Sequence, residues 1–231
     1  MTASVVYCSG PMFSPAELWE QALLADALER AGYSTYLPQR DGVQVGAIGD
    51  RFAGATSPAA AAWGRQVLRR AAFALDTFEL LGRCDAVVCN LNGRVPDEGS
   101  VVEVALAAAA GKALVLYKQT PVTLFDSGDN PMIAGLDGTW ETASTLDAAV
   151  ALVGERLSSS GAWRYTAPPA LAAAAVAGAA VADAVEGLDT VVAGSDADTA
   201  IAELRRWVAN LGLAYLDVGD LGASAFGDGG R

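Results

Sequence analysis

The stretch CDAVVCNLNGRVPDEGSVVEVALAAAAGKALVLY, residues 84–117, decides the fold of this chain. Its apolar run at 85–91 predicts a buried strand, its Ala-rich run at 100–110 a helix, and residues 113–117 a second strand. Two strands joined by a helix lie parallel in one sheet. Ligands of such sheets bind at the carboxyl ends of the strands, and the segment DEGSVVE, Asp97 to Glu103, falls at that corner.

The same alternation of strands and helices extends over the first two thirds of the chain. We predict further strands at 5–9 and 34–37, helices at 15–31, 58–81 and 146–157, and loops at 40–58 and 119–138. This order predicts an α/β fold, with a parallel (Rossmann or flavodoxin-like) sheet flanked by helices.

The rest of the chain, residues 146–231, is predicted as a helical or α/β C-terminal extension. It would contain an Ala-rich helix after Pro168-Pro169, strands at 189–194 and 214–219, and an amphipathic helix opened by Ser195. We expect this extension to enlarge the sheet or to form an oligomer interface.

Composition excludes several classes of partner. The chain has 231 residues and a formal net charge of −12, which repels nucleic-acid polymers and anionic membrane surfaces. Residues 1–10 lack the pattern of a secretory leader, and the apolar run at 170–182 is too short to cross a bilayer. The three cysteines are better explained as buried thiols of a cytoplasmic protein than as disulfides, and no pair has metal-ligand spacing.

The chain contains no histidine. This excludes the Ser-His-Asp triad, the Cys-His pair, His-ligated metals and imidazole acid–base chemistry. Any catalysis must therefore use carboxylates, tyrosine, serine, cysteine or lysine, and we expect neither a metal nor an organic cofactor.

Glu103 has two interpretations. Ser100-Val-Val-Glu103 matches a capping box, in which the glutamate bonds back to the amide of the capping serine. Alternatively, a carboxylate kept ionised near a helix amino terminus in apolar surroundings is a suitable nucleophile for an electrophilic sugar carbon.

Four other residues are ordinary when each is considered alone. Asp97 is a common residue in a turn before a helix, and Asn130 is a common turn former. Asp76 lies off the apolar stripe of its helix, as a solvated aspartate would, and Tyr7 is typical of a packed strand residue.

Six motifs together resemble one family, the nucleoside 2-deoxyribosyltransferases. They are YCSGPMF (7–13), LPQRDG (37–42), Leu75-Asp76, CDAVVCNLNG (84–93), PDEGSVVEVALAAAAGK (96–112) and DNPMI (129–133). The resemblance covers residues 4–136, and its most specific part is Asp-x5-Glu followed by Asn-x-Met. It implies that residues 1–145 form the catalytic domain.

The resemblance also implies a role for each matching residue. Glu103 would be the nucleophile, Tyr7 would orient it, and Asp76 and Asp97 would contact the nucleobase. The substrate-binding residues would be Gly10, Phe13, Gln39, Asp41, Asn130 and Met132. The family usually takes its Asn-x-Met from a neighbouring subunit, so a homo-oligomer with shared active sites is expected.

The resemblance implies transfer of 2-deoxyribose between nucleobases, with a deoxynucleoside and a free base as substrates. The alternatives are hydrolysis of a nucleoside or nucleoside 5′-monophosphate by the same site, and a non-enzymatic nucleotide-sensing module. A nucleoside is preferred over a nucleotide because Asp126 and Asp129 would repel a 5′-phosphate, unless Arg40 or Arg94 points inward.

Overall fold

The computed structural model describes residues 3–93, 96–119, 129–159, 168–192 and 196–219. The strands are β1 (Val5–Ser9), β2 (Ser34–Tyr36), β3 (Ala86–Asn90), β4 (Ala113–Tyr117) and β5 (Thr142–Ala143). The helices are α1 (Pro15–Arg30), α2 (Pro38–Asp41), α3 (Val45–Asp50), α4 (Pro58–Phe78), α5 (Glu98–Ala109), α6 (Pro131–Ala134), α7 (Leu146–Ser159), α8 (Pro169–Ala184), α9 (Asp189–Val192) and α10 (Ala197–Leu211).

The chain forms two compact units, each built from two separate segments. The sheet unit comprises Met1–Asp41 and Glu79–Thr166, and the helical unit comprises Gly42–Phe78 and Ala167–Arg231. These units describe packing, so the boundary proposed at residue 145 between a catalytic domain and an extension stays a prediction.

The sheet unit contains all five strands, which are parallel and follow the order β2-β1-β3-β4-β5. This confirms the predicted α/β fold. The chain leaves β1 toward β2 on one side and reaches β3 on the other, so the crevice at the carboxyl ends of β1 and β3 is a topological switch point. Parallel sheets of this kind place their ligands there.

The two faces of β1 serve different purposes because successive strand side chains point in opposite directions. Val6 and Cys8 belong to a buried core with residues of α1, β3, β4 and α7, including Leu24, Leu28 and Val153. Tyr7 and Ser9 point the other way and bond to a side chain of α5. One face of the strand therefore stabilises the unit and the other presents hydroxyl groups.

The helical unit corrects two strand predictions. Residues 189–192 form the helix α9; Val191 in this helix and Leu188 just before it are both buried, three residues apart. Residues 214–216 form a 3-10 turn, in which only Leu216 is buried. Both apolar runs are short, and short apolar runs have no period that separates a strand from a helix.

Other boundaries differ from prediction in informative ways. The predicted loop at 40–58 contains α3, and α4 changes at Glu79 into one turn of π-helix that ends at Arg83. The helix predicted to open at Ser195 begins at Ala197, with Asp196 as its cap; Ser195 lies outside the described residues.

The Ala-rich segment is longer than the sequence suggested. Helix α8 continues as a 3-10 helix, so Pro169–Leu188 forms one helical run of 20 residues. Its length and composition would allow it to cross a membrane, a property that core helices of soluble proteins share. The expectation that this stretch is too short is therefore wrong.

Candidate active site

Two hydroxyl groups of β1 hold the carboxylate of Glu103. The Tyr7 hydroxyl donates to Oε1 at 2.8 Å, and the Ser9 hydroxyl donates to Oε2 at 2.6 Å. Each carboxylate oxygen thus accepts a bond from β1, which fixes the plane of the group and favours its ionised form. The half-buried Glu103 lies beside the carboxyl end of β1, where ligands of parallel sheets bind.

Ser9 is a site residue that the sequence interpretation missed. The signal was present, because residues two apart on a strand share a face and Tyr7 was already a candidate. Core packing also holds Tyr7, whose ring lies 5.2 Å from that of Tyr36 on the neighbouring strand. The hydroxyl group of Tyr7 is therefore presented by a rigid element.

The capping-box interpretation of Glu103 is wrong. The cap of α5 is Asp97, three residues earlier than predicted, and its Oδ2 accepts from the backbone N of Ser100 at 2.7 Å. The Ser100 hydroxyl also donates to Oδ2, at 2.8 Å. Glu103 therefore lies in the second turn of α5, and its side chain bonds to β1 instead of the helix end.

Asp97 has a structural role in this arrangement. Aspartate is among the best amino-terminal capping residues, and its negative charge is favourable at the positive end of the helix. Asp97 and Glu103 thus stand on the same helix, one at its start and one a turn and a half later. The predicted contact between Asp97 and a nucleobase stays a prediction.

The cysteines are free and buried, as expected. Burial raises the pKa of Cys89, and the nearby Glu103, Asp97 and Asp129 carboxylates raise it further, while a hydrogen bond with Ser9 lowers it. Burial likewise raises the pKa of Cys8 to about 12. Because the thiolate is the reactive form, both thiols are inert near neutral pH, and Glu103 is the better nucleophile.

Gly10 lies where β1 ends, and its predicted place in the pocket wall has a packing reason. A Cβ built on Gly10 would lie 1.9 Å from Nε2 of Gln21 and 3.0 Å from Cβ of Asn90. Only glycine fits there. Both polar atoms of the buried Gln21 side chain, and Nδ2 of Asn90, have no hydrogen-bond partner within the described part of the chain.

Asn130 begins α6 and caps it, because its Oδ1 accepts from the backbone N of Met132 at 2.9 Å. The Met132 side chain is 79% exposed, as is that of Phe13 in the loop after β1. Exposed side chains of this size are available to a ligand or a second copy of the chain. The substrate contacts assigned to them stay predictions.

Gln39 and Asp41 are both in α2; Gln39 bonds to α1, and Asp41 bonds close to its own helix. Gln39 Nε2 donates to the Leu18 carbonyl at 2.7 Å, while Asp41 Oδ2 accepts from the Leu37 backbone N at 2.8 Å. Asp41 also pairs with Arg40, 2.8 Å from Nε to Oδ1. Asp76 is half-buried in α4 of the helical unit. Substrate roles for Gln39, Asp41 and Asp76 stay predictions.

A cavity of about 320 Å³ lies in the sheet unit at the opposite, amino end of β4. Arg156 lines it but is surrounded by carboxylates: its Nη2 lies 3.6 Å from Asp137 and 3.1 Å from Glu141. Because its charge is already neutralised, Arg156 offers little to an anionic ligand in this cavity. Within the described ranges, no group of three or more cysteine or acidic residues is placed to hold a metal ion.

Comparison with known protein families identifies the family of this chain. The family model for nucleoside 2-deoxyribosyltransferase matches residues 6–156, and the chain belongs to that family. No curated protein matches the chain.

Two solved structures are similar in part. A conserved protein from Enterococcus faecalis V583 is 21% identical, with a TM-score of 0.48, over 67% of this chain and 99% of that one. A protein described as a 2-desoxiribosyltransferase from Leishmania mexicana is 20% identical, with a TM-score of 0.39, over 66% of this chain and 97% of that one.

Proposed function

We propose that this protein transfers 2-deoxyribose between nucleobases through a covalent intermediate on Glu103. The observation that carries the proposal is the Glu103 carboxylate held by Tyr7 and Ser9. An oriented carboxylate next to a sugar stabilises the oxocarbenium-like transition state of N-glycosidic cleavage and then traps the sugar. Membership of the deoxyribosyltransferase family supports this chemistry.

The reaction has two similar steps. In the first, a Glu103 oxygen bonds to the anomeric carbon as the bond to the base nitrogen breaks, and an acidic group protonates the leaving base. In the second, a ring nitrogen of the incoming base attacks the same carbon, Glu103 leaves, and the base gives up its proton. Asp97 and Asp76 are the proposed base-side carboxyl groups, and the cap to Ser100 leaves Oδ1 of Asp97 for that purpose.

Two of the charges that bear on the choice between a nucleoside and a nucleotide are already paired within the protein. Asp129 forms an ion pair with Lys118, so its charge is compensated and does not oppose a 5′-phosphate. Arg40 is engaged by Glu29 and Asp41. Asp126 and Arg94 lie outside the described residues. We keep the deoxynucleoside as the proposed substrate, with the 5′-monophosphate as the alternative.

The assay that decides the reaction combines 2′-deoxyinosine with free adenine. We expect 2′-deoxyadenosine and hypoxanthine in equal amounts, because the enzyme-bound sugar passes to adenine. Hypoxanthine without deoxyadenosine would mean that water takes the sugar and would establish an N-glycosidase. The same assay with 2′-deoxyinosine 5′-monophosphate measures the preference for nucleoside or nucleotide.

Glu103→Gln tests the nucleophile, and Glu98→Gln is its matched control. Both glutamates belong to α5, but Glu98 is exposed in the first turn. We expect Glu103→Gln to lower kcat by about 10³-fold or more, since it removes the attacking carboxylate, whereas Glu98→Gln changes it by less than about threefold. Mass spectrometry of wild type quenched without acceptor base should show one added deoxyribosyl group. Wild-type rates for Glu103→Gln would overturn the assignment.

We further propose that the protein is a cytoplasmic homo-oligomer that shares residues between active sites. The exposed Phe13 and Met132 side chains, which are large and apolar, support an interface with a second copy of the chain. Light scattering on the purified protein measures the assembly, and a monomer with full activity would contradict it.

A further inference from the structure

Lys118 and Asp129 form a buried ion pair in the sheet unit. Lys118 Nζ lies 2.6 Å from Asp129 Oδ1, and the two side chains are only 4% and 5% exposed. Lys118 directly follows β4, and its backbone N donates to the Ala143 carbonyl of β5 at 2.8 Å. The lysine is therefore anchored by the sheet itself.

Such a pair is a demanding constraint. Taking two charges out of water costs several kcal/mol each, and removing one partner leaves the other charged and uncompensated. Such a pair contributes little to the free energy of folding, since apolar residues of similar volume often stabilise a protein as much or more. The pair does enforce one geometry, because Asp129 must reach a fixed ammonium group.

That geometry sets the position of the next three residues. Asp129 is followed by Asn130, whose Oδ1 accepts from the Met132 backbone N and so begins α6. Helix α6 in turn contacts α5, the helix that carries Glu103. The ion pair thus connects the carboxyl end of β4 to the segment containing Asn130 and Met132.

We propose that Lys118 is a positioning residue: through Asp129 it holds Asn130 and Met132 for contact with the 5′-hydroxyl end of the sugar. This rests on the proposed function, in which Asn130 and Met132 approach that end of the substrate. Lys118 itself does not touch the substrate. The ion pair would position Asn130 in this way whether the substrate lies at Glu103 of the same chain or at Glu103 of a second copy.

The test compares two substrates that differ by one hydroxyl group, 2′-deoxyinosine and 2′,5′-dideoxyinosine, with adenine as acceptor. Wild type should prefer 2′-deoxyinosine, because a site built to bond a hydroxyl group discriminates against an analogue that lacks it. In Lys118→Met, we expect kcat/KM for 2′-deoxyinosine to fall by about 10–100-fold, mostly through KM, as it would on loss of a hydrogen bond. For 2′,5′-dideoxyinosine we expect a change of less than about threefold.

Lys112→Met is the control, since Lys112 and Lys118 are the only lysines and lie at the two ends of β4. The ammonium group of Lys112 bonds the Cys84 carbonyl at the amino end, and its loss should leave the preference between the two substrates unchanged. Asp129→Asn keeps the shape of the partner and should reproduce the Lys118→Met result. The double variant Lys118→Met/Asp129→Leu leaves no buried unpaired charge and covers the case in which Lys118→Met does not fold.

The outcomes separate the two proposals. Equal losses on both substrates, or an unchanged preference in a folded Lys118→Met or double variant, would overturn the positioning role and leave the function standing. No base exchange by wild type with either substrate would overturn the proposed function, and the positioning role with it.

Discussion

At the scale of single residues, the proposed chemistry depends on two hydroxyl groups that donate hydrogen bonds to one carboxylate. Neither Tyr7 nor Ser9 is charged, so they orient Glu103 without neutralising it. A cation in their place would form a stronger pair and would make the carboxylate a poorer nucleophile. The two hydroxyl groups that donate to Glu103 from β1 are neutral.

We predict that Tyr7→Phe and Ser9→Ala each slow the formation of the proposed glycosyl intermediate by about 10–100-fold, because each removes one hydrogen bond to a carboxylate. The Tyr7→Phe variant should remain folded, since its ring still packs against Tyr36. Single-turnover release of base measures the step. The double variant Tyr7→Phe/Ser9→Ala tests whether the two hydroxyl groups act together. If its rate loss equals the product of the two single losses, the hydroxyl groups act independently and do not hold the carboxylate jointly, because residues that share one partner are not additive.

Glu79 provides a pH prediction. Its side chain is 1% exposed, and this burial raises its pKa to about 7. The positive charge of Arg83 lowers the pKa in part, and the negative charge of Asp41 raises it further. Arg83 Nε lies 2.9 Å from Oε2 without hydrogen-bond alignment, so its compensation is incomplete.

The sign follows from proton binding. The folded state holds the Glu79 proton more tightly than the unfolded state, so this residue lowers stability as the pH rises from about 4.5 to about 7. We predict that Glu79→Gln removes this slope and raises the free energy of unfolding at pH 8 by on the order of 1–3 kcal/mol. Urea titrations at pH 5 and pH 8 measure it. A Glu79→Gln variant less stable than wild type at pH 8 would show that the ionised carboxylate is needed.

The residue scale also shows how far sequence reasoning reached. Glu103 and Tyr7 were predicted as partners because a carboxylate in an apolar helix is conspicuous and the family resemblance connected it to a tyrosine. The ion pair between Lys118 and Asp129 was not predicted, because the two residues are eleven positions apart across a segment with no regular pattern. Nothing in the sequence indicates that a single lysine after a strand is buried.

At the scale of secondary-structure elements, the closest packing occurs between α4 and α8 in the helical unit. A Cβ on Gly178 of α8 would lie 2.0 Å from the Ala74 carbonyl oxygen and 2.6 Å from Cβ of Phe78. The two helices approach each other this closely only because Gly178 has no side chain. The small residues of this Ala-rich helix therefore serve contact between helices.

We predict that Gly178→Ala lowers the free energy of unfolding by about 1–3 kcal/mol, although alanine favours helix formation by about 1 kcal/mol over glycine. Gly46→Ala is the control, because Gly46 is exposed in α3 and no atom lies within 4 Å of its added Cβ. Gly46→Ala should leave the protein as stable as wild type or more stable. Thermal unfolding of both variants measures the difference, and a stabilised Gly178→Ala would refute the close approach.

Elements with a clear pattern were predicted well. Strands β1, β3 and β4 are apolar runs between turn residues, whereas β2 is the short run Ser34–Tyr36 after Gly32; the structure has all four. Strand β5 has only two residues, too few to show any alternation. The start of α5 was misplaced because both Asp97 and Ser100 are good capping residues, and sequence alone does not say which of them the chain uses.

At the scale of the whole molecule, the chain enters the helical unit twice, at 42–78 and again after residue 166. The sequence does not predict that such distant segments share a unit. Packing between helices leaves an apolar stripe on each helix, and a stripe does not identify the helix that covers it. The second segment includes α8, which packs on α4, and Arg70 of α4 bonds the carbonyls of Tyr215 and Asp217. The extension is therefore divided: α7 belongs to the sheet unit, and the part from Ala167 onward belongs to the helical unit.

We predict that a chain ending at residue 166 loses the fold of segment 42–78. Without α8 and α10, the buried stripe of α4, which includes Val67, Leu68 and Ala71, has no cover from the second segment. Limited proteolysis should then cut within 42–78, where the full chain resists. A chain ending at residue 219 keeps every described element and is the control. Equal resistance of both truncated chains would show that the first segment folds alone.

The two lysines at opposite ends of β4 have a practical consequence for attaching this protein to a surface. Burial lowers the pKa of Lys112, which increases its uncharged, reactive fraction, while Lys118 is enclosed in its ion pair. An amine-reactive support should therefore couple through Lys112 or the α-amino group and spare Lys118. Coupling through Lys112 holds the sheet by the amino end of β4. The carboxyl ends of the strands, beside which Glu103 lies, are then at the end of the sheet away from the point of attachment, so coupling would not consume the residues of the proposed site.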